Sequence, residues 1–302
     1  QEESIEEVLR MLNIYKTFIE EYLAIPIIAG RKSDNEKFAG AVATYTVEAL
    51  MRDKKALQCG TSHDLGQSFS KVFEIKFQDK ENKQQYVWQT SWGVSTRLIG
   101  AAIMAHRDDK GVILPPLIAP YQVVVIPINN LVNAEYLVRI EKELKDKGLR
   151  YVIDNRDESA GSKFNKWELK GVPIRLEIGD RECERQTISA TSRLGKKVNT
   201  PINEFFNSID SLLLNFQNEL FVRATEFQKT NTFDIDQFTD FKNLFGQGKS
   251  SGFVKAYFCG SKECEDTIKC ETFGVTSRCI PLDETNGEGS CICCKKDVNG
   301  KK

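Results

Sequence analysis

Cysteine residues crowd into one stretch of this 302-residue chain, since seven of the nine lie between positions 259 and 294. Cys259 and Cys264 form one close pair, and the run CICC supplies Cys291, Cys293 and Cys294. Two close pairs separated by a loop suit a tetrahedral zinc ion, because each pair spans one edge of the tetrahedron. The spacing predicts a zinc site made by Cys259, Cys264, Cys291 and either Cys294 or Cys293. Such a site is structural, because four thiolates leave no open coordination position.

The alternative to zinc is a set of free thiols in a core, and Cys270 and Cys279 are interpreted in that way because their spacing is less suggestive. An oxidised secreted framework spreads its cysteines along the chain in pairs, whereas these are odd in number and clustered. The pattern therefore favours a metal site in a reducing compartment. Only two histidines, His63 and His106, are present, which argues against a site built from several imidazoles.

A second chemically suggestive stretch is SWGVSTRLIGAAIMAHRDDKG, residues 91–111. It predicts a strand that ends at Trp92 and Gly93, followed by a helix with Arg97 at or near its start. Free N–H groups and the dipole at a helix start attract anions, and arginine can bind a phosphate through two hydrogen bonds. A phosphate is the predicted partner of Arg97, and a salt bridge to a carboxylate is the alternative. The apolar side of the helix is predicted to carry Leu98, Ile99, Ala102 and Ile103.

The stretch QCGTSHDLG, residues 58–66, carries short polar side chains around His63. Ser62, His63 and Asp64 are not evidence of a hydrolytic triad, because the members of a triad meet in space rather than in sequence. A loop that lines a small-ligand pocket is one interpretation, and a structural histidine is the other. A zinc-dependent hydrolase is disfavoured, because the predicted cysteine site is closed and distant in sequence.

Two further motifs carry weaker signals. The segment RDESAGSKFNKWELKGVPIR, residues 156–175, interleaves basic residues with Phe164 and Trp167, a pattern that suits unpaired nucleotides by phosphate pairing and base stacking. On charge alone, an ordinary solvated loop is favoured. The run GQGKS, residues 246–250, lacks the full phosphate-loop pattern and is interpreted as a turn.

Composition describes an ordinary globular protein with 40% hydrophobic and 28% charged residues. The formal net charge is −1, so total charge does not indicate a nucleic-acid binder, although one domain can still carry a basic face. No apolar run reaches the roughly 18 residues of a membrane span. The start of the chain, QEESIEEV, is acidic and already helical, which suggests entry in the middle of a domain and a longer protein upstream.

The elements that must position these residues fall into three predicted domains, 1–114, 115–215 and 216–302. The first alternates helices with long strands joined by a polar turn, which implies an antiparallel sheet. VATYTVEALM is predicted to be a helix, and SKVFEIKFQD and YVWQTSWG are predicted to be strands. Pro115, Pro116 and Pro120 break both kinds of element and mark the first boundary.

The second predicted domain has a βαβ rhythm. YQVVVIPI is a continuous apolar strand, NAEYLVRIEKELKDKG is a helix that ends at Gly148, and three further strands precede a long helix that begins at Pro201. This predicts a compact α/β module with a mostly buried sheet. The third domain adds the helix DIDQFTDFKNLF, the strand GFVKAYFCG and the cysteine-rich tail.

Six ordered motifs resemble prolyl-tRNA synthetase of the eukaryotic and archaeal type, from about Ile5 to Cys294. They are GRKSDNEKFAG, QCGTSHDLGQSFSKVFEI, SWGVSTR, GVILPPLIAPYQVVVIP, KFNKWELKGVPIRLE and CGSKECE. The resemblance implies an α/β multidomain fold in three parts. These are part of a class II synthetase antiparallel-sheet catalytic domain, a class IIa anticodon-binding α/β domain and a small zinc-binding α+β domain.

The resemblance also implies an activity. A proline–tRNA ligase uses ATP and Mg²⁺ to convert L-proline to prolyl-adenylate and then transfers it to tRNA(Pro), with Zn²⁺ in a structural role. It implies a cytoplasmic homodimer with no membrane association. Motifs 1 and 2 are absent, so the chain matches the C-terminal portion of such an enzyme and is expected to be inactive alone. The alternative is a non-catalytic, synthetase-like tRNA-binding or scaffold module.

Roles implied by the resemblance attach to particular positions. Arg97 matches the catalytic arginine of motif 3, and ATP contacts fall on Gln58, Ser95 and Arg97. Proline-pocket positions fall on Phe38, Gly60, Thr61, His63 and Trp92. Anticodon contacts fall on Lys163, Lys166 and Glu168. Family members usually end in a tyrosine that reaches toward the active site, whereas this chain ends in Lys302.

Overall fold

A computed structural model describes residues 1–128, 134–246 and 252–300. The chain divides into two compact units. Unit 1 comprises Gln1–Glu21, Ile25–Ala101 and Thr225–Lys302, and unit 2 comprises Tyr22–Ala24 and Ala102–Ala224. This division differs from the three predicted domains, because it groups the first and last parts of the chain in one unit. The boundaries at 114 and 215 stay predictions.

Unit 1 is built around a five-stranded sheet in which all pairings are antiparallel, in the order β14-β1-β2-β3-β6. An antiparallel sheet was expected from the polar turns between strands, and it is confirmed. The elements up to the first unit boundary are α1 (Glu2–Thr17), a π-helical turn (Phe18–Tyr22), β1 (Ile28–Arg31), β2 (Ala43–Leu50), β3 (Ala56–Gly66), α2 (Ser68–Val72), β4 (Lys76–Gln78), β5 (Gln84–Tyr86), β6 (Gln89–Gly93) and α3 (Arg97–His106).

The last part of the chain adds short elements to unit 1. They are β12 (Thr232–Asp234), α8 (Phe238–Phe245), β13 (Phe253–Lys255), α9 (Lys262–Glu271), β14 (Ile280–Pro281), β15 (Gly287–Ser290) and β16 (Asp297–Gly300). Strand β14 pairs with β1, so the tail supplies an edge strand of the first sheet. Gly30 on β1 is required there, because a Cβ atom would lie 2.5 Å from Cys279 Sγ.

Two predictions for this sheet were wrong. VATYTVEALM forms strand β2 rather than a helix, because it lies between β1 and β3 and is buried on both faces, which removes the alternation that identifies a strand. SKVFEIKFQD forms helix α2 and strand β4 rather than one strand. The chain turns between them at Glu74, whose φ of 54° is left-handed.

Helix α3 begins at Arg97 as predicted, but its buried side differs from the prediction. Leu98 and Ala102 are buried, whereas Ile99 is 65% exposed and Ile103 is also exposed. Ala101 takes part in the buried side instead, since positions i, i+3 and i+4 share one face of a helix.

Unit 2 contains a five-stranded sheet in the order β11-β10-β9-β7-β8, in which β8, β7 and β9 are parallel and β10 and β11 are antiparallel. Its elements are β7 (Val123–Pro127), α4 (Ala134–Asp146), β8 (Tyr151–Ile153), α5 (Ala160–Leu169), β9 (Ile174–Ile178), α6 (Asp180–Arg185), β10 (Thr187–Ser192), β11 (Lys197–Pro201) and α7 (Ile202–Thr230, whose last residues lie in unit 1). The predicted strands and helices of the module are present in the predicted order, and α5, α6 and β11 are additional elements that the sequence analysis did not predict.

An apolar cluster fills the centre of unit 2. All five residues of β7 are buried, and α4 and α7 pack their apolar sides onto the sheet. Helices can cover a parallel sheet in this way because βαβ crossovers place them on its faces. Among the described residues, no helix has the length and apolar character of a membrane span.

Candidate active site and metal centre

Strand β3 carries three of the five predicted pocket positions, and β6 lies beside it. Thr61 pairs with Gly93, Ser62 with Trp92, and His63 with Ser91. Side chains two apart on a strand share a face, so Thr61 and His63 project to one side. Directly opposite residues also share a face.

The register therefore separates Trp92 from Thr61 and His63. Trp92 lies opposite Ser62, and Ser62 donates a hydrogen bond of 2.9 Å to the carbonyl of Val8 on α1. Trp92 projects to that α1 side of the sheet. Its assignment to the same pocket wall as Thr61 and His63 does not fit this geometry, because an odd shift along a strand changes the face.

His63 does meet Phe38, as the predicted pocket requires. Their ring centroids are 5.0 Å apart at 43°. His63 Nδ1 lies 3.0 Å from Thr44 Oγ1 on β2, and the Phe38 N–H donates to the same oxygen at 2.9 Å. Partial burial lowers the pKa of His63, because desolvation disfavours the charged imidazolium. Phe38 itself is 49% exposed, so this aromatic pair borders solvent.

Arg97 is the first residue of helix α3, which follows strand β6. Its Nη1 donates a 2.9 Å hydrogen bond to the carbonyl of Gln58, and its backbone N–H donates to Ser95 Oγ at 3.3 Å. Arg97 is exposed, and within residues 1–128, 134–246 and 252–300 no carboxylate forms an ion pair with it. The structure thus brings together Gln58, Ser95 and Arg97, and it leaves guanidinium donors of Arg97 directed at no carboxylate.

Cys59 lies between Gln58 and Gly60 and is buried. Burial, together with the nearby Glu48 carboxylate, raises the pKa of Cys59 to about 12 despite the opposing effect of Arg97. The thiol is therefore neutral at physiological pH. A thiolate is the nucleophilic form of cysteine, so Cys59 is not a nucleophile at this site.

Sequence reasoning missed the buried ion cluster around Glu48 of β2. Both Glu48 and Thr46 are fully buried. One carboxylate oxygen of Glu48 accepts hydrogen bonds from Lys32 Nζ at 2.9 Å and Thr46 Oγ1 at 2.8 Å. The other accepts two from Arg278, at 3.0 and 2.6 Å. Only the glutamate within a largely apolar segment could have signalled this cluster, and its partners lie up to 230 residues away.

The predicted metal centre lies in the last segment of the chain that belongs to unit 1. The Sγ atoms of Cys259, Cys264, Cys291 and Cys294 all lie within 4.8 Å of one another, with Cys259 3.6 Å from Cys264 and 3.8 Å from Cys294. A tetrahedral zinc ion with bonds of about 2.3 Å needs sulfur atoms about 3.8 Å apart. The four thiols therefore fit zinc.

Local structure explains this convergence. Ser261 caps helix α9 by accepting a hydrogen bond from the Cys264 N–H at 3.2 Å, and the hairpin β15–β16 holds Cys291 and Cys294 at its turn. Burial raises the pKa of Cys259, but hydrogen bonds from Ser261 and Cys264 outweigh it and lower the value to about 6. Burial raises the pKa of Cys264 and Cys291 instead, so Cys259 is the thiol of the three that loses its proton most readily. The thiolate is the form that binds metal.

The structure distinguishes the two cysteines that the sequence left as alternatives. Cys293 packs against the apolar cluster of Phe241, Phe245, Ile268 and Ile292, whereas Cys294 joins the sulfur group. Of the two cysteines interpreted as core residues, Cys279 packs over Gly30, but Cys270 is exposed, which corrects that interpretation. The run GQGKS lies, beyond Gly246, outside the described residues.

The predicted anticodon residues lie on helix α5 of unit 2, but they differ in accessibility. Lys163 is only 4% exposed. Lys166 is half-buried, with Nζ 5.6 Å from the Trp167 ring centroid, and Lys170 lies 4.9 Å from the same ring. Glu168 pairs with Lys110 at 3.3 Å.

Trp167 is 6% exposed and packs in the core, so it is not available as a platform for base stacking. Its Nε1–H donates to Asp154 at 2.7 Å, and Arg156 donates to both oxygens of that buried carboxylate. These contacts, with Arg156 foremost, hold the pKa of Asp154 far below its usual range. The guanidinium carbon of Arg175 lies over the Phe164 ring, 4.0 Å from the ring centroid. The predicted stacking surface is therefore already covered by basic side chains.

Comparison with known proteins connects these two regions to one class. Residues 122–212 match the protein-family model described as "Anticodon binding domain", and residues 238–300 match "Prolyl-tRNA synthetase, C-terminal". An anticodon-binding module is the mark of an aminoacyl-tRNA synthetase, and the second model specifies the amino acid.

Similarity extends across the whole chain. It is 45% identical over 301 residues to a proline–tRNA ligase 2 of Bacillus cereus, covering 98% of the chain and 62% of that protein. A proline–tRNA ligase of Porphyromonas gingivalis is 46% identical, with 97% and 60% covered. The prolyl-tRNA synthetase of Cryptosporidium parvum, solved with L-proline and AMP, superposes with a TM-score of 0.93 at 38% identity, covering 99% of the chain and 64% of that protein.

The chain belongs to the prolyl-tRNA synthetase family, and the part of the family's length that it matches includes the C-terminal domain. It spans about three fifths of the length of the curated relatives that it matches.

Proposed function

We propose that this chain forms part of a proline–tRNA ligase, in which it supplies one wall of the adenylation site, the tRNA anticodon-binding module and a structural zinc centre. One observation carries the proposal. Arg97 stands exposed at the start of α3, bonded to the Gln58 carbonyl, and it lies in the same unit as the Phe38–His63 pair. This arrangement suits a phosphate next to a small apolar substrate.

The proposed reaction begins with L-proline and ATP. A carboxylate oxygen of proline forms a bond to the α-phosphorus, the bond to the bridging oxygen breaks, and pyrophosphate leaves. Negative charge builds on the phosphate oxygens during this step. The remaining donors of Arg97 stabilise that charge, and a helix start adds a favourable dipole. When bound with ATP, Mg²⁺ would supply further neutralisation of this charge.

The other residues position the substrates. The Gln58 carbonyl fixes the Arg97 side chain, and Ser95 stabilises the first turn of α3. Phe38, Thr61 and the neutral His63 form the side-chain wall of the proposed proline pocket. Gly60 adjoins this wall through its backbone, because a Cβ atom there would point toward Tyr15 of α1. Trp92 is left out of this wall, because its register directs it to the other face of the sheet.

Binding of tRNA is assigned to unit 2. The match to an anticodon-binding model supports that assignment for the module as a whole. Within it, Lys166 and Glu168 are the proposed contacts, whereas the burial of Lys163 argues for a supporting role. Zinc held by Cys259, Cys264, Cys291 and Cys294 is proposed to stabilise the tail without taking part in the chemistry. Homodimer formation and a cytoplasmic location are further proposals that rest on the synthetase likeness.

The test uses the full-length protein that contains this chain. Arg97→Ala should lower proline-dependent ATP–pyrophosphate exchange by about 10²–10³-fold, the effect of removing one preorganised donor. Binding of tRNA, measured on filters, should remain within twofold of wild type. Arg10→Ala is the matched control, because it removes an exposed arginine on α1 that pairs with Glu7.

Two results would contradict the proposal. Absence of proline-dependent exchange in the wild-type full-length protein, with tRNA binding intact, would favour the non-catalytic tRNA-binding module. Equal losses of exchange and tRNA binding in Arg97→Ala would mean that Arg97 supports the fold rather than the reaction.

A further inference from the structure

The tail of the chain contacts the face of the first sheet that carries Thr61 and His63. Thr46 pairs with Thr61, and Thr44 pairs with His63, so these four side chains share one face. Thr46 binds Glu48, and Glu48 binds Arg278 from the tail. A continuous set of polar contacts therefore joins the tail to strand β3.

This set of contacts meets β3 at an irregular point. The register between β2 and β3 shifts between Val47 and Glu48, so that Val47 pairs with Gly60 while Glu48 pairs with Gln58. Cys59 is therefore an extra residue on β3, and a bulge of this kind bends a strand and changes the direction of neighbouring side chains. Thr46 Oγ1, which donates to Glu48, also lies 3.3 Å from the Gly60 carbonyl. The bulge is thus tied to the Glu48 carboxylate through one hydroxyl.

Arg278 is well placed to decide the position of that carboxylate. It supplies two of the four hydrogen bonds to Glu48, and both reach the same oxygen. Lys32 and Thr46 occupy the other oxygen. A fully buried carboxylate needs every one of these partners, because desolvation makes an incompletely paired charge costly.

The backbone around Arg278 is also fixed to the sheet. Ile280 pairs with Arg31 and Pro281 with Gly30, and the Leu282 N–H donates to the carbonyl of Ala29 at 2.9 Å. Close packing of Cys279 against Gly30 leaves no room between them. The guanidinium therefore approaches Glu48 from a strand that cannot shift freely.

We infer that Arg278 is a positioning residue for the proline pocket: by holding Glu48, it fixes the bulge of β2–β3 beside Thr61, whose side chain lies on the substrate face of the sheet. This inference rests on the proposed function for the identity of the substrate. The claim that Arg278 fixes the geometry of β3 is independent of the proposed function. The role is distinct from catalysis, since Arg278 acts through Glu48 and Thr46.

The first arm of the test uses the 302-residue chain. Hydrogen–deuterium exchange should be faster in Arg278→Ala than in wild type for peptides that cover residues 57–61. Peptides from β7 and β9 in unit 2 should be unchanged. Lys16→Ala is the matched control, because Lys16 also contacts the tail, at Asp283, but through an exposed pair that does not involve Glu48.

The second arm uses the full-length protein and measures proline-dependent ATP–pyrophosphate exchange. In Arg278→Ala the KM for proline should rise about tenfold, the effect of losing a hydrogen bond to a charged group, while the KM for ATP changes less. A role in overall stability alone would lower the folded fraction, and with it kcat, and would leave both KM values unchanged. Arg278→Lys keeps the charge and should restore the KM for proline to within about threefold of wild type.

The outcomes separate the two claims. The inference would be overturned if hydrogen–deuterium exchange at residues 57–61 were unchanged in Arg278→Ala. It would also be overturned if Lys16→Ala raised that hydrogen–deuterium exchange by the same amount. A wild-type protein without proline-dependent exchange would overturn the proposed function, and the first arm would then decide the positioning role by itself. If Arg278→Ala does not fold, as judged by its melting temperature, Arg278→Gln takes its place in both arms, and Arg278→Lys remains the variant expected to restore the KM.

Discussion

The two sheets of this protein are stabilised in different ways. In unit 2, the central strand β7 is entirely apolar and buried, and its neighbours pack around it as one apolar cluster. In unit 1, the central strand β2 buries Thr44, Thr46 and Glu48 beside its apolar residues. Apolar packing accepts many partners of suitable volume, whereas buried polar groups need specific ones.

This difference follows the proposed roles of the sheets. The sheet of unit 1 has to present polar and charged groups to a substrate, so polar side chains must also lie beneath its surface. One of their partners, Arg278, comes from 230 residues farther along the chain. The sheet of unit 2 carries its proposed contacts on helix α5, and its interior is free to be apolar.

Removal of the proposed zinc ion is the test with the largest expected effect, and it concerns unit 1. Chelation, or Cys264→Ser, should release zinc and open the apolar cluster around Phe241 and Ile292, because structural zinc is worth about 10–16 kcal/mol in small domains. Unit 2 should remain folded. Zinc content by mass spectrometry and thermal unfolding by circular dichroism are the measurements.

Two pairs of variants sharpen that test. Cys270→Ser is the control, because Cys270 is exposed and outside the sulfur group. Cys294→Ser should lose zinc, whereas Cys293→Ser should retain it. Equal zinc content in Cys264→Ser and Cys270→Ser would contradict the assignment of the site.

A substitution in the apolar cluster tests how unit 2 is stabilised. Phe205 on α7 is fully buried, so Phe205→Ala should lower the free energy of unfolding of unit 2 by about 3–5 kcal/mol, through lost burial and the cavity that remains. Leu214→Ala, on the same helix but 60% exposed, should cost much less. Guanidinium unfolding followed by tryptophan fluorescence measures both. Similar losses in the two variants would mean that α7 is not anchored by this cluster.

The same contrast explains which elements the sequence predicts well. YQVVVIPI and the helix that follows Pro201 are identified correctly, because long apolar runs and strong periodicity reflect burial directly. The segment VATYTVEALM was misread, because its place between two strands, rather than its own periodicity, makes it a strand. For Trp92, only the strand register shows on which face it lies.

The candidate site follows the same rule. The cysteines, Arg97 and His63 could be named from the sequence, because their chemistry is visible in a short motif. Glu48 and Arg278 could not, since their relation exists only after folding. The choice between Cys293 and Cys294 also needed the structure, because adjacent residues at a hairpin turn point in different directions.

A smaller effect is expected where unit 2 itself buries a charge. Asp154→Ala should lower the free energy of unfolding by about 3 kcal/mol, because it leaves Trp167 Nε1 and Arg156 without their acceptor. The pKa of Asp154 is lowered on folding, so its contribution is present above the ordinary value of 3.8 and is lost as the pH falls below it. The difference between wild type and variant, measured by urea unfolding, should therefore shrink toward pH 3.

The control for this prediction is Asp157→Ala, which removes an exposed carboxylate from the same loop. It should change stability by less than about 0.5 kcal/mol, as surface substitutions usually do. A variant difference for Asp154 that grows as the pH falls would contradict the assigned ionisation.

The smallest expected effect belongs to His63, at the polar site of unit 1. Its pKa is lowered on folding by burial, so the unfolded chain takes up a proton at higher pH than the folded one. Stability should therefore begin to fall as the pH decreases through 6.5 and should level off once the folded imidazole is also protonated. The ring protons of His63, followed by NMR, should titrate with a midpoint below 6.5. Phe38→Ala removes the aromatic cover and should move that midpoint upward toward 6.5, whereas an unchanged midpoint would mean that the Phe38 ring does not exclude water from His63.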